Sequence, residues 1–178
     1  DSTNSLTVGT ATAIATYTLD NGTTGLLGGA GVSNAYDGTA TSVNYSEGKF
    51  GQGATLGTAS HVTANLPDIF SGTKQFTYSC FVKTTSVDTV NFRLNVLDSN
   101  IYIALGVATA GKIKFQGYNG SAWIGLEHPT AINDGAWHHV CVTRNATHIN
   151  TYIDGAISAL ENTDSLGSFV TSTYIIGF

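Results

Sequence analysis

Residues 134–155, DGAWHHVCVTRNATHINTYIDG, decide the fold. Asp134-Gly135 opens the stretch and Asp154-Gly155 closes it, and both pairs are turn chemistry. Between them Val140 and Val142 alternate with His139, Cys141 and Thr143, the period of two expected of a strand buried on one face. Ile149, Thr151 and Ile153 alternate with His148, Asn150 and Tyr152 in the same way. Asn145 sits where the chain must reverse, because its short amide tolerates left-handed angles and can bond nearby backbone. The spacing predicts an antiparallel hairpin.

Outward from this hairpin the same signals recur. Residues 15–19 read as a strand that ends at Asp20-Asn21-Gly22, and 21–44 as a glycine-rich loop with a short extended piece over 38–45. Strands are predicted at 49–56 and 61–66, and then at 75–84, where Phe76, Tyr78, Cys80 and Val82 share a face. Segments 90–97, 100–107, 112–118 and 121–126 follow, divided by Asp98-Ser99, Ala110-Gly111 and Asn119-Gly120. Asn-Gly is among the stronger short hairpin signals. Residues 168–178 form the last predicted strand. No stretch carries helical periodicity, and no internal repeat is visible. Many short strands joined by turn chemistry imply an all-β chain, a two-sheet antiparallel β-sandwich. Residues 1–14 read as a linker or edge strand, and 15–178 as one domain.

The totals agree. With 21 glycines and only 11% charged residues the chain could look disordered, but 42% hydrophobic residues, with eight Phe, eight Tyr and two Trp, supply a core. A chain of 178 residues buries enough surface to fold without disulfides or metal. Seven Lys plus Arg and a net charge of −5 argue against nucleic acid, since Lys112 and Lys114 are the only close basic pair. No apolar run is long enough to insert in a membrane. Methionine is absent, which suggests a processed chain or a segment of a longer one. Cys80 and Cys141 lie in the two most strand-like stretches. They read as small buried hydrophobes, or as a disulfide if their strands are neighbours.

Trp137-His138-His139-Val140, the alternating strand after it and Tyr152-Ile153-Asp154-Gly155 resemble the signature of laminin-G-like domains in the concanavalin-A-like lectin and glucanase group. The run 76–83 is similar to that family's first long core strand, with Cys80 in place of a small residue and Phe81 in place of Trp. Residues 47–54, Glu-Gly-Lys-Phe-Gly-Gln-Gly-Ala, resemble its glycine-rich turn. With 17–20 near the start, the likeness covers about 15–178, and it implies a jelly roll. The family continues past the final Ile-Gly turn into one more strand, so the resemblance implies an open edge that neighbouring subunits or domains would cover. It also implies ligands that are glycans, cell surfaces or protein partners, sometimes with calcium.

Chemistry on the chain is sparse. A retaining glycosidase needs two carboxyls about 5–5.5 Å apart, whereas Glu47, Glu127 and Glu161 are scattered and the aspartates occupy turns. Adjacent His138 and His139 point to opposite faces of a strand and cannot chelate one ion. The chain reads as a non-enzyme. Sugar recognition needs an aromatic platform with amides and carboxylates beside it. Tyr118, Asn119 and Trp123 supply that mix around one hairpin, with Asp98 and Asn100 at the neighbouring turn. Tyr36 and Tyr45 border the glycine-rich loop and are second candidates, while Trp137 is expected in the core. Asp20 and Asn21 match the place where relatives gather oxygen ligands, and are the candidate calcium pair against the plain turn they also form. Two functions stay open. One is a lectin-like module binding glycans or a host surface, within an extracellular or virion assembly of phage or bacterial origin. The other is a purely structural decoration or fibre domain of a phage particle.

Overall fold

The computed structural model describes residues 16–17, 25–26, 38–57, 59–64, 75–87, 94–98, 101–107, 109–118, 123–145, 147–158, 162–163 and 174–177. Sixteen strands lie among them. In chain order they are β1 (Thr16–Tyr17), β2 (Gly25–Leu26), β3 (Thr39–Thr41), β4 (Asn44–Glu47), β5 (Gln52–Thr55), β6 (His61–Ala64), β7 (Phe76–Lys83) and β8 (Leu94–Asp98). There follow β9 (Ile101–Val107), β10 (Lys112–Tyr118), β11 (Trp123–Ala131), β12 (Trp137–Arg144), β13 (His148–Ile153), β14 (Ala156–Ile157), β15 (Asn162–Thr163) and β16 (Tyr174–Gly177).

Two sheets carry the fold. The first runs β11-β10-β9-β8-β16-β6-β3, and the second runs β14-β13-β12-β7 with β15 beside β13. Their pairings are antiparallel. The predicted hairpin is β12–β13, with Val140 opposite Ile153, Val142 opposite Thr151 and Arg144 opposite Ile149. The alternation becomes burial: Val140, Val142, Ile149 and Ile153 are buried on this sheet, and Val62, Ile113, Phe115 and Leu126 on the other. Facing apolar sides of two sheets form the core of a sandwich. Asn145 makes its turn by hydrogen bonding, its Oδ1 accepting from the N–H groups of Thr147 at 2.8 Å and His148 at 2.7 Å. Asp154 (φ 50°) and Gly155 (φ 83°) form the two-residue loop between β13 and β14, a type I′ geometry that suits the strand twist.

Several expectations change in detail. β11 continues to Ala131, past the predicted end at 126 and through Pro129. It can do so because β11 is an edge strand and the register shifts between Lys112 and Lys114, leaving Pro129 where no ladder N–H is required. β7 and β12 are neighbours, yet Cys80 lies opposite Val140 while Cys141 lies opposite Ser79. Successive residues alternate faces, so the two thiols sit on opposite sides of the sheet and both are free. Trp137 is half-buried and packs near the β4–β5 hairpin, 3.9 Å from the point where a Cβ on Gly53 would lie. It covers the outer side of the second sheet and is not between the sheets. The last strand, β16, is interior, paired with β6 on one side and β8 on the other.

Candidate functional site

The first sheet presents its outer face over β9, β10 and β11. Ile113 and Phe115 are buried, so the alternate residues Lys112, Lys114 and Gln116 belong to the opposite, half-exposed face. On β11 the same alternation separates buried Leu126 and His128 from Gly125 and Glu127. Register extends this face along the strands. Trp123 is paired with Tyr118, and Tyr118 with Tyr102, so three aromatic residues occupy one cross-strand row. The next row on that face is Gly125, Gln116 and Ala104, and the third is Glu127, Lys114 and Gly106. A row of aromatics therefore borders a strip of small and polar residues.

Side chains within the strip are arranged unevenly. Lys114 faces Glu127 by register, yet Glu127 pairs with Lys112, Nζ to Oε1 at 3.4 Å. The Lys114 stem instead crosses toward Gly125, its Cε 3.3 Å from where a Cβ on that residue would lie. Of the sequence candidates, Tyr118 and Trp123 are opposite each other in the β10–β11 ladder. Asp98 ends β8, opposite Ile101. The side chains of Tyr118, Trp123 and Asp98, and the whole of Asn100, Asn119, Asp20, Asn21 and Tyr36, lie outside the described residues. Among the described residues no group of three or more His, Cys, Asp or Glu could hold a metal ion. No helix there is long and apolar enough to cross a membrane.

Two clusters escape a reading of the sequence. His138 stands between two carboxylates, Nδ1 2.7 Å from Asp154 Oδ2 and Nε2 3.0 Å from Asp134 Oδ1. Its side chain is only 16% exposed. Asp154 also accepts from the His139 N–H and Asp134 from the Ala136 N–H, so this clamp ties the two Asp-Gly turns together. The Asp154 hydrogen bond is the largest influence raising the His138 pKa, while both carboxyls are lowered. The turn aspartates thus bond backbone, as turn residues do, and hold a side chain as well. On the outer side of the second sheet, Phe50 of the β4–β5 loop is 70% exposed and Phe81 of β7 44% exposed. Their rings meet edge to face at 5.3 Å, and His139 lies 5.1 Å from Phe81. Asp154 lies far from His138 in sequence, and Phe50 far from Phe81, which hides both groupings.

Nucleophilic chemistry finds no support in the thiols. Burial pushes Cys80 up to about 12, although its hydrogen bond with Tyr78 acts the other way, and burial raises Cys141 too. Buried His128 receives the Thr130 N–H at Nδ1, which leaves Nε2 to donate to the Ala156 carbonyl and link β11 to β14.

The comparisons with known proteins fit this architecture. The laminin G-type family model of the concanavalin A-like lectin/glucanases superfamily matches residues 56–177. The chain belongs to that family. No curated protein matches the sequence. Among solved structures, domain 4 of AbnA, an extracellular GH43 arabinanase from Geobacillus stearothermophilus solved with arabinotriose, is 22% identical with a TM-score of 0.73. That match covers 93% of this chain and 84% of the domain. Domains LG4-5 of the mouse laminin alpha1 chain are 18% identical with a TM-score of 0.53, covering 65% of this chain and 31% of theirs. The enzymatically active domain of tailspike protein 2 from bacteriophage CBA120 is 14% identical, with a TM-score of 0.53 over 79% of this chain and 25% of its own. At these identities the likeness is one of fold.

Proposed function

We propose that the chain is a non-catalytic recognition module that binds an oligosaccharide on the outer face of β9, β10 and β11. The observation that carries this is the cross-strand row Tyr102, Tyr118 and Trp123 beside Gly125 and Gln116. Aromatic rings offer the apolar face of a sugar a platform, and a neighbouring amide can bond its hydroxyls. The arabinanase domain of similar fold was solved with arabinotriose, which supports a saccharide for this one. The described carboxylates that have partners serve structure: Glu127 pairs with Lys112, and Asp134 and Asp154 hold His138. Asn119, Asn100 and Asp98, the last residue of β8, are the further candidates for ligand contact. The module works outside the cell or on a virion surface. Any calcium dependence would enter at Asp20 and Asn21, and titration with and without a chelator reads it.

Isothermal titration with a panel of neutral oligosaccharides, arabinotriose among them, tests the proposal. Trp123→Ala should weaken binding at least about tenfold, the ~1.4 kcal/mol scale of losing an anchoring aromatic, with an unchanged melting temperature. Equal affinity of the variant and the wild type would remove the aromatic row from the account.

A second reading, in which the domain packs against neighbouring subunits or domains, is favoured by the exposed Phe50–Phe81 pair. Contiguous exposed apolar side chains mark interaction sites, and these two rings form such a patch.

A further inference from the structure

The strip beside the aromatic row contains a cation whose position the neutral-sugar reading does not use. Among the described residues three charged side chains occupy this face: Lys112, Lys114 and Glu127. Glu127 is opposite Lys114 in the ladder but pairs with Lys112 at 3.4 Å. Lys114 has no salt-bridge partner among the described residues, and its stem lies across Gly125, one pleat step closer to Trp123 than Glu127 is. The glycine lets the stem lie close: a Cβ there would stand 3.3 Å from Lys114 Cε, a tight contact that would push the lysine aside. Burial of the face on the other side, at Phe115 and Leu126, fixes which residues share the strip. The three charges sum to one positive charge on a chain whose net charge is −5.

We infer that Lys114 reads an anionic group on the bound sugar, so the ligand class is an acidic oligosaccharide carrying a carboxylate or a sulfate. The inference rests on the glycan reading and makes it specific. From Tyr118 to Lys114 is four residues along β10, roughly 13 Å at 3.3–3.4 Å per residue. A sugar ring over the aromatic row thus leaves the next units of a short chain over Gln116, Gly125 and the lysine ammonium. An ammonium at the end of a half-buried stem gives a charge-assisted bond to an anion, and salt weakens it.

The experiment compares trigalacturonate, a sulfated heparin-derived tetrasaccharide and two neutral probes, arabinotriose and galactotriose, by titration at low and high salt. The wild type should prefer one anionic probe over the neutral ones by about fivefold at low salt. Which anionic probe it prefers distinguishes carboxylate from sulfate. Lys114→Gln should erase that preference, bringing the ratio of anionic to neutral affinity to about one. Gly125→Val, which displaces the lysine stem, should erase it too, with a melting temperature equal to or above that of the wild type because glycine weakens a strand interior. Neutral and anionic probes binding alike, or a preference that survives Lys114→Gln, overturns the inference. If neutral binding then still depends on Trp123, the glycan reading stands without it. Binding of none of the four probes overturns both.

Discussion

His138 shows how a residue can serve the fold through charge. An imidazole flanked by two carboxylates that only accept must carry both protons to satisfy both bonds, at 2.7 Å and 3.0 Å. Its pKa is therefore raised above 6.5, chiefly by Asp154. The Asp134 carboxyl is held below 3.8, first by the Ala136 N–H, and the Asp154 carboxyl below 3.8, first by His138. The signs follow by linkage. The stability contributed by His138 is whole below its unfolded value of 6.5 and is lost as pH rises through the higher folded value. The contribution of the aspartates is whole above 3.8 and is lost as pH falls through their lower folded values. The clamp therefore acts fully between 3.8 and 6.5. Melting temperatures across that range and beyond should fall on both sides, and His138→Gln should remove the decline attributable to this residue on the alkaline side. An identical alkaline profile in the variant would deny the clamp. The sequence made the opposition of His138 and His139 legible through strand alternation. It could not reveal the second carboxylate, because Asp154 reaches His138 only after the β12–β13 hairpin closes.

At the scale of elements, the hairpin over 134–155 was legible because its turn residues and its period of two point to the same structure. The limits of β11 were not. Proline and the polar pair Glu127-His128 argue locally for an end at 126, while an edge position and a register shift let the strand run to Ala131. Residues 47–54 resembled a glycine-rich turn and 49–56 read as a strand, whereas the structure makes 48–51 the loop of the β4–β5 hairpin and supplies the reason for the glycines. A Cβ on Gly48 would lie 2.5 Å from the Gln52 carbonyl oxygen, and Gly53 faces both Gly48 and Trp137. What the glycines could not tell is where the loop presents Phe50. Its ring rests against Phe81 with Lys49 Nζ 6.0 Å from its centre, and most of it faces water. We expect weak self-association of the isolated domain through this pair. In sedimentation velocity, Phe50→Ser should keep the monomer at concentrations where the wild type begins to associate, with little change in melting temperature since so little of the ring is buried. A wild type that stays monomeric throughout would count against the patch as a contact.

For the whole molecule, two stacked antiparallel sheets leave one broad face of the seven-stranded sheet opposite its buried side, and the aromatic row lies at one end of it. The fold was readable from pattern and resemblance together, since buried alternation specifies which face each strand presents. Of the site, Tyr118 and Trp123 were readable as candidates around one hairpin, but their pairing was not. The Asn-Gly signal and a strand from 121 would put Tyr118 opposite Ser121, and the ladder pairs it with Trp123. Tyr102 was not readable, since it joins that row only through the β9–β10 pairing. Lys114 and Gly125 share the face by alternation along β10 and β11, but the course of the lysine stem over the glycine shows only once the two strands pair. The central claim is that this face recognises a saccharide. An amide-resolved NMR titration with the tightest oligosaccharide found by calorimetry tests it most directly. The account predicts shifts confined to residues 102–106, 112–118 and 123–127, and Trp123→Ala should suppress them. Shifts centred instead on the β4–β5 loop and β7, with β9, β10 and β11 unmoved, would contradict it.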